Sequence, residues 1–147
     1  MCIRDRDKTN VLVTYSFYEA TGNTVTDYEV PDEKDLLLGF PAHKLSVLAS
    51  FSPAENVFVT PSLTYYGTRH AVTSYDSDYV YEKLDPIILT NISLLFKDMF
   101  AKKGLDFSFS VYNIFNEHFD FVEPYLGDYA PMPGPSTEFV FKLTYSF

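Results

Sequence analysis

Six stretches of the chain alternate apolar and polar residues with a period of two, and no other feature limits the fold as strongly. In an extended strand successive side chains leave on opposite faces, so such a stretch builds a strand with one apolar and one polar side. The last is the clearest: Phe139, Phe141, Leu143, Tyr145 and Phe147 oppose Glu138, Val140, Lys142, Thr144 and Ser146. Leu105, Phe107, Phe109 and Val111 oppose Asp106, Ser108, Ser110 and Tyr112, and the turn residues Asn113 to Asn116 close that run. Earlier strands are expected at Val11 to Tyr18, Lys44 to Phe51, Val57 to Tyr65 and Ile88 to Phe96. Pro61 is discordant inside the third, because it removes a ladder donor and belongs at a bulge or a sheet edge.

The connections sort by length. Ser52 to Asn56 and Lys97 to Gly104 are short, whereas Glu19 to Ala42, Thr68 to Asp85 and Glu117 to Ser136 are long and rich in Asp, Glu, Gly and Pro. Short turns at one end and long loops at the other are the habit of outer-membrane barrels, whose strands cross the bilayer at a tilt. A soluble β-sandwich or small closed barrel also alternates, but its polar face should be strongly charged. Here that face is mostly Ser, Thr, Asn and Tyr, as a wet lumen requires. The expected fold is all-β: a six-stranded antiparallel meander forming an open, curved portion of a transmembrane barrel.

Composition agrees. Aromatics make up 18% of the chain, with 12 Tyr, 14 Phe and no Trp, and such rings suit a pleated surface at a bilayer edge. The mean hydropathy of -0.07 is no objection, since only every second strand residue needs to be apolar. No apolar run approaches the roughly 18 residues of a spanning helix; Ile87 to Phe96 is interrupted by Thr90, Asn91 and Ser93. A net charge of -9 with scattered basic residues excludes a phosphate-binding surface for nucleic acid. The single cysteine, Cys2, rules out an internal disulfide.

No secretory leader is legible, because polar residues follow Arg6 at once. Met1-Cys2-Ile3-Arg4-Asp5-Arg6 resembles a translated sequencing-adapter remnant. Residues 1–9 are therefore expected to be a non-native or truncated leader, and 10–147 the barrel piece.

Val111-Tyr112-Asn113-Ile114-Phe115-Asn116, then Pro133-Gly134-Pro135 and the strand ending at Phe147, resemble the end of TonB-dependent outer-membrane receptors. Phe40-Pro41-Ala42-His43-Lys44-Leu45 is similar to that family's Pro-x-His entry into a barrel strand, and Tyr65-Tyr66-Gly67-Thr68-Arg69 to its Tyr-x-Gly-x-Arg exit. Pro135 departs from the usual Arg, and the plug, the TonB-contacting segment and most strands are absent. The resemblance implies energised uptake of a siderophore, cobalamin, haem or glycan by a complete receptor in the bacterial outer membrane. TonB would engage only through the missing N-terminal part, the ligand only through the whole receptor.

The residues expected to face lipid are Phe107, Phe109, Phe139, Phe141, Leu143, Tyr145 and Phe147. Tyr75, Tyr79, Tyr81, Tyr125 and Tyr129 sit in long loops where they could stack on a ligand, although an aromatic belt and loop packing are the simpler account of them. His43, His70 and His118 lack ligand spacing, and the acidic run Asp27, Glu29, Asp32, Glu33 and Asp35 lacks the EF-hand pattern, so no metal is expected. No nucleophile elbow or phosphate loop is present; an enzyme is not expected, nor a cofactor. Rival readings are another outer-membrane barrel, an adhesin or autotransporter translocator, and a soluble ligand-binding β-domain.

Overall fold

The computed structural model describes residues 3–4, 9–22, 24–74, 80–123 and 131–147. Six long strands form one sheet: β1 (Thr9–Phe17), β2 (His43–Ala54), β3 (Val57–Tyr66), β4 (Ile87–Phe96), β5 (Leu105–Tyr112) and β6 (Glu138–Tyr145). Each pairs antiparallel with the next in sequence, so the sheet is the expected meander. Ile3–Arg4 adds a short seventh strand, with Ile3 opposite Val11 and Arg4 opposite Asn10. These two residues cover part of the outer side of β1, which an open sheet leaves without a partner. Among the described residues β1 and β6 do not pair, and the barrel is not closed. No helix among them is long and apolar enough to cross a membrane, which says nothing about strands.

Register carries the alternation across the whole sheet. Val13 lies opposite Val47, Val47 opposite Leu63, Val59 opposite Leu94, Leu94 opposite Phe109 and Phe109 opposite Phe141. A slip of one residue anywhere would exchange the faces, so this agreement through five pairings shows how strongly the pattern specifies the register. Rings form a ladder along the apolar face: Phe109 lies 4.8 Å from Phe141 and 6.3 Å from Phe139, and Phe107 lies 6.3 Å from Phe96. Phe107, Phe109, Phe139, Phe141, Leu143 and Tyr145 thus share one face. Phe147 follows the strand and is fully exposed.

On the opposite face hydroxyls and amides meet across strands. Ser93 Oγ and Ser110 Oγ are 2.8 Å apart, Asn91 Nδ2 donates to Ser62 Oγ at 3.2 Å, and Thr60 Oγ1 donates to Ser50 Oγ at 3.3 Å. The last contact sits beside Pro61. Pro61 is in a central strand, not at an edge, with Ile92 opposite it on β4. Toward β2 the ladder runs from Lys44–Tyr66 to Leu48–Ser62 and resumes at Phe51–Val59 in the same register. It skips the positions opposite Pro61 and Thr60, as the missing N–H demands. The register shift lies further on, between Phe51 and Ala54.

The outermost long strands, β1 and β6, are exposed throughout and β3 to β5 are mostly half-buried, while the buried cluster lies among the loops: Val30, Leu38 and Val72, with Leu36 against them. Each long connection holds a small hairpin, Glu29–Val30 with Glu33–Leu37, Arg69–Ser74 with Val80–Leu84, and Asp120–Phe121 with Met132–Pro133. Tyr18 fastens the first. Its hydroxyl proton is shared between the Leu37 carbonyl (3.3 Å) and the Phe40 carbonyl (3.1 Å), and its oxygen accepts from the Leu37 N–H at 3.2 Å. Burial pushes the phenol above its ordinary value of 10.0, against the lowering by the Leu37 backbone. The neutral form is the one the fold favours, so its contribution is complete below pH 10 and lost as pH rises through the raised pKa. Tyr18→Phe should destabilise this hairpin by about 1–3 kcal/mol, read as faster exchange of the Leu37 amide.

The short turns close tightly at the other end. Gly104 adopts φ 80 and its carbonyl accepts from the Ser146 N–H at 2.8 Å. A Cβ on Gly104 would fall onto the Ser146 carbonyl oxygen, so Gly104→Ala meets both a left-handed backbone and a clash with backbone. The expected cost is roughly 2 kcal/mol or more, seen as fraying of the end of β6 in amide exchange.

Candidate functional site

The segments singled out in the sequence converge at the long-loop end. His43 begins β2; its carbonyl accepts from the Gly67 N–H at 2.8 Å, and a Cβ on Gly67 would stand only 3.1 Å from that oxygen. The Pro-x-His entry and the Tyr-x-Gly-x-Arg exit are thus two sides of one backbone contact, close enough to favour glycine. His43 Nδ1 also lies 2.8 Å from the Tyr15 hydroxyl. His70 contributes its carbonyl to the Gly39 N–H at 2.8 Å, and His118 is exposed. Among the described residues no three His, Cys, Asp or Glu groups gather as a metal site.

Asn113 is the knot of the third loop. It ends β5 in a left-handed conformation, φ 49, and is only 5% exposed. Its amide nitrogen donates to the carbonyls of Glu117 (2.9 Å) and Pro135 (3.1 Å), and its amide oxygen accepts from the Glu117 N–H at 2.8 Å. Its backbone N–H donates to Asn91 Oδ1 at 2.9 Å, while its carbonyl accepts from Thr137 Oγ1 at 2.8 Å. Asparagine suits the place because its short amide tolerates φ > 0 and satisfies neighbouring backbone groups. Gly134 then donates its N–H to the Phe119 carbonyl at 2.7 Å, and a Cβ there would strike the Phe119 ring.

Beneath these loops, on the polar face of the sheet, lies a hollow of about 290 Å³ lined by Gly39, Pro41, Tyr66, Arg69, Ile87, Leu89, Phe119, Phe121 and Val122. A second of about 260 Å³ adjoins it, sharing Tyr66, Leu89 and Phe119 and adding Thr64, Asn91, Tyr112, Asn113 and Glu138. Arg69 is the cation of the first. It is 8% exposed, its Nη1 donates to the Asp120 carbonyl at 2.9 Å, and its Nε has no partner among the described residues. Burial lowers its pKa, and the charges of Asp120 and Tyr66 act the other way. An arginine keeps its proton in such surroundings. The site can therefore offer a desolvated, partly unsatisfied donor set among aromatic and aliphatic walls, suited to an acceptor-bearing group or to holding the second and third loops together.

Of the tyrosines singled out, Tyr81 is exposed on Val80–Leu84 and lines neither hollow. Tyr75, Tyr79, Tyr125 and Tyr129 lie outside the described residues. Tyr66, Arg69, Phe119 and Phe121 were not singled out as ligand residues; Arg69 was visible only as the last residue of a motif, and burial of an arginine leaves no periodic trace.

Comparison with known proteins bears on the fold. The ferric-catecholate import receptor Fiu of E. coli K12, in its closed form, superposes with a TM-score of 0.75 at 20% identity, over 95% of this chain and 19% of that one. The ferripyoverdine receptor of the outer membrane of Pseudomonas aeruginosa gives 0.70 at 14% identity, over 99% and 18%. A mutant of the ferric enterobactin receptor PfeA from the same organism gives 0.68 at 17%, over 100% and 21%. The fold is that of part of a receptor barrel. This chain spans about a fifth of the length of those receptors. No family model and no curated protein matches it.

Proposed function

We propose that this sheet is the C-terminal part of the barrel of a TonB-dependent receptor in the bacterial outer membrane, serving uptake of a scarce ligand and not catalysis. The observation that carries the reading is the single-layer sheet. One face is apolar from β1 to β6, the other carries hydroxyls and amides, and all three long loops leave from one end. In hydrocarbon every backbone group must be paired, so the edge of β6 and the part of the β1 edge beyond Val11, unpaired among the described residues, call for further strands. The family-like segments support the same reading, because those around His43, Gly67, Asn113 and Gly134 all lie at the loop end. The ferric-catecholate import receptor Fiu shares this fold, which supports an iron-siderophore complex as one candidate ligand beside cobalamin, haem or a glycan.

Recovering the complete reading frame tests this. A plug with a TonB-contacting segment upstream, and uptake abolished when TonB is deleted, is the expected result. A long repetitive passenger, as in an autotransporter, or uptake indifferent to TonB, would contradict it.

A further inference from the structure

The turn between β4 and β5 is unlike the rest of the surface. Residues 97–104 hold three lysines, Lys97, Lys102 and Lys103, against one acid, Asp98, in a chain whose net charge is -9. The long connections, 18–42, 67–86 and 113–137, hold 14 acidic and three basic residues, so charge is segregated to the two ends of the sheet. Asp98 and Asp106 are engaged within the turn: Asp98 Oδ1 accepts from the Gly104 N–H at 2.7 Å, and Asp106 Oδ1 from the Asp98 N–H at 3.1 Å.

The same turn holds out a large apolar side chain. Phe100 is 86% exposed, and it stands at φ 56 between the left-handed Asp98 (φ 49) and Ala101 (φ 56). A bulky residue rarely adopts this conformation, and water offers nothing to offset it. Lys102 Nζ lies 5.0 Å from the centre of the Tyr145 ring, on the apolar face at the end of β6, and Phe147 beyond it is fully exposed. Beside them a hollow of about 570 Å³ is lined by Lys97, Asp98, Lys103, Gly104, Asp106, Tyr145, Ser146 and Phe147, its two carboxylates being those already engaged by the Gly104 and Asp98 N–H groups.

We propose that this turn is an anchor for the bilayer surface: Phe100 enters the interface, and Lys102 and Lys103 meet the phosphates of anionic phospholipids, while Lys97 Nζ stays over the Phe58 ring on the polar face, 5.2 Å from its centre. It rests on the membrane reading above and adds a partner for one turn. Exposed cations and aromatics at a lipid boundary are held by headgroup charge and by ring burial together. The charge pattern selects an anionic headgroup.

The chain has no Trp, so a single Phe100→Trp reports on this turn alone. The membrane-embedded protein that carries this sheet, with any tryptophan outside these residues replaced by phenylalanine, is reconstituted into phosphatidylcholine vesicles with or without phosphatidylglycerol and probed with lipids brominated near the headgroup. The expected result for Phe100→Trp is blue-shifted indole emission that bromolipid quenches, more strongly with phosphatidylglycerol. Lys102→Gln and Lys103→Gln should each lower the phosphatidylglycerol-dependent partitioning about fivefold, as should added salt. Phe141→Trp is the reference on the apolar face. Quenching at position 141 with none at position 100, or quenching at 100 indifferent to headgroup charge and to the lysines, would overturn the anchor and leave the membrane reading standing. No quenching at either would overturn both.

Discussion

Phe141→Lys is expected to cost about 2–4 kcal/mol in a membrane-embedded protein that carries this sheet, whereas Val140→Lys should cost far less. The two neighbours leave the same strand on opposite faces. Phe141 lies opposite Phe109 within the ring ladder, while Val140 lies opposite Ser110 on the hydroxyl-lined face. A lysine on the first face must carry its charge into hydrocarbon or bend back to reach water; on the second it stands in a wet lumen. Reversible unfolding in lipid distinguishes them. Equal costs would mean that neither face meets lipid.

Asn113→Ala should be comparably severe although it removes only one small side chain. It orphans the Glu117 N–H and carbonyl and the Pro135 carbonyl, and it leaves alanine in a left-handed conformation. Buried orphaned groups cost about 1–3 kcal/mol each, so about 3–5 kcal/mol is expected after partial repair by water. The loss should be local: faster amide exchange and protease cleavage between Asn113 and Thr137, with the β1–β4 ladder unchanged. Asn113→Asp, which keeps the acceptor for the Glu117 N–H but turns a carboxylate oxygen toward the buried Glu117 and Pro135 carbonyls, should be no milder.

Most of the fold was legible because strand register and facing are one-dimensional properties. The alternation Phe139, Phe141, Leu143, Tyr145 places those side chains on one face whatever else the chain does, and Leu105 to Val111 repeats it one strand away. Turn chemistry was legible for the same local reason, at Asn56 (φ 65) and Gly104 (φ 80). Pro61 was only half legible. Its missing donor is a local fact, but tolerance in a central strand depends on which neighbour its nitrogen faces, and that is set by β2.

The loop end was the least legible. The buried cluster Val30, Leu38 and Val72 draws on two separate loops, and no periodicity announces such a contact. Arg69 reads as one more charged loop residue until the fold places its guanidinium under Asp120. The tyrosines were chosen by chemistry and loop position; Tyr81 is exposed and lines neither of the two hollows, and the other four lie outside the described residues.

The central claim, that one face of this sheet meets lipid and the other a watery lumen, is tested most directly by a nitroxide scan of β6. Labels placed singly from Glu138 to Tyr145 in the membrane-embedded protein would be relaxed by dissolved oxygen, which concentrates in hydrocarbon, or by a water-soluble nickel chelate. The predicted result is strict alternation, with oxygen access at 139, 141, 143 and 145 and nickel access at 138, 140, 142 and 144. A β6 with no alternation, or one whose odd positions are reached by nickel and shielded from oxygen, would contradict it.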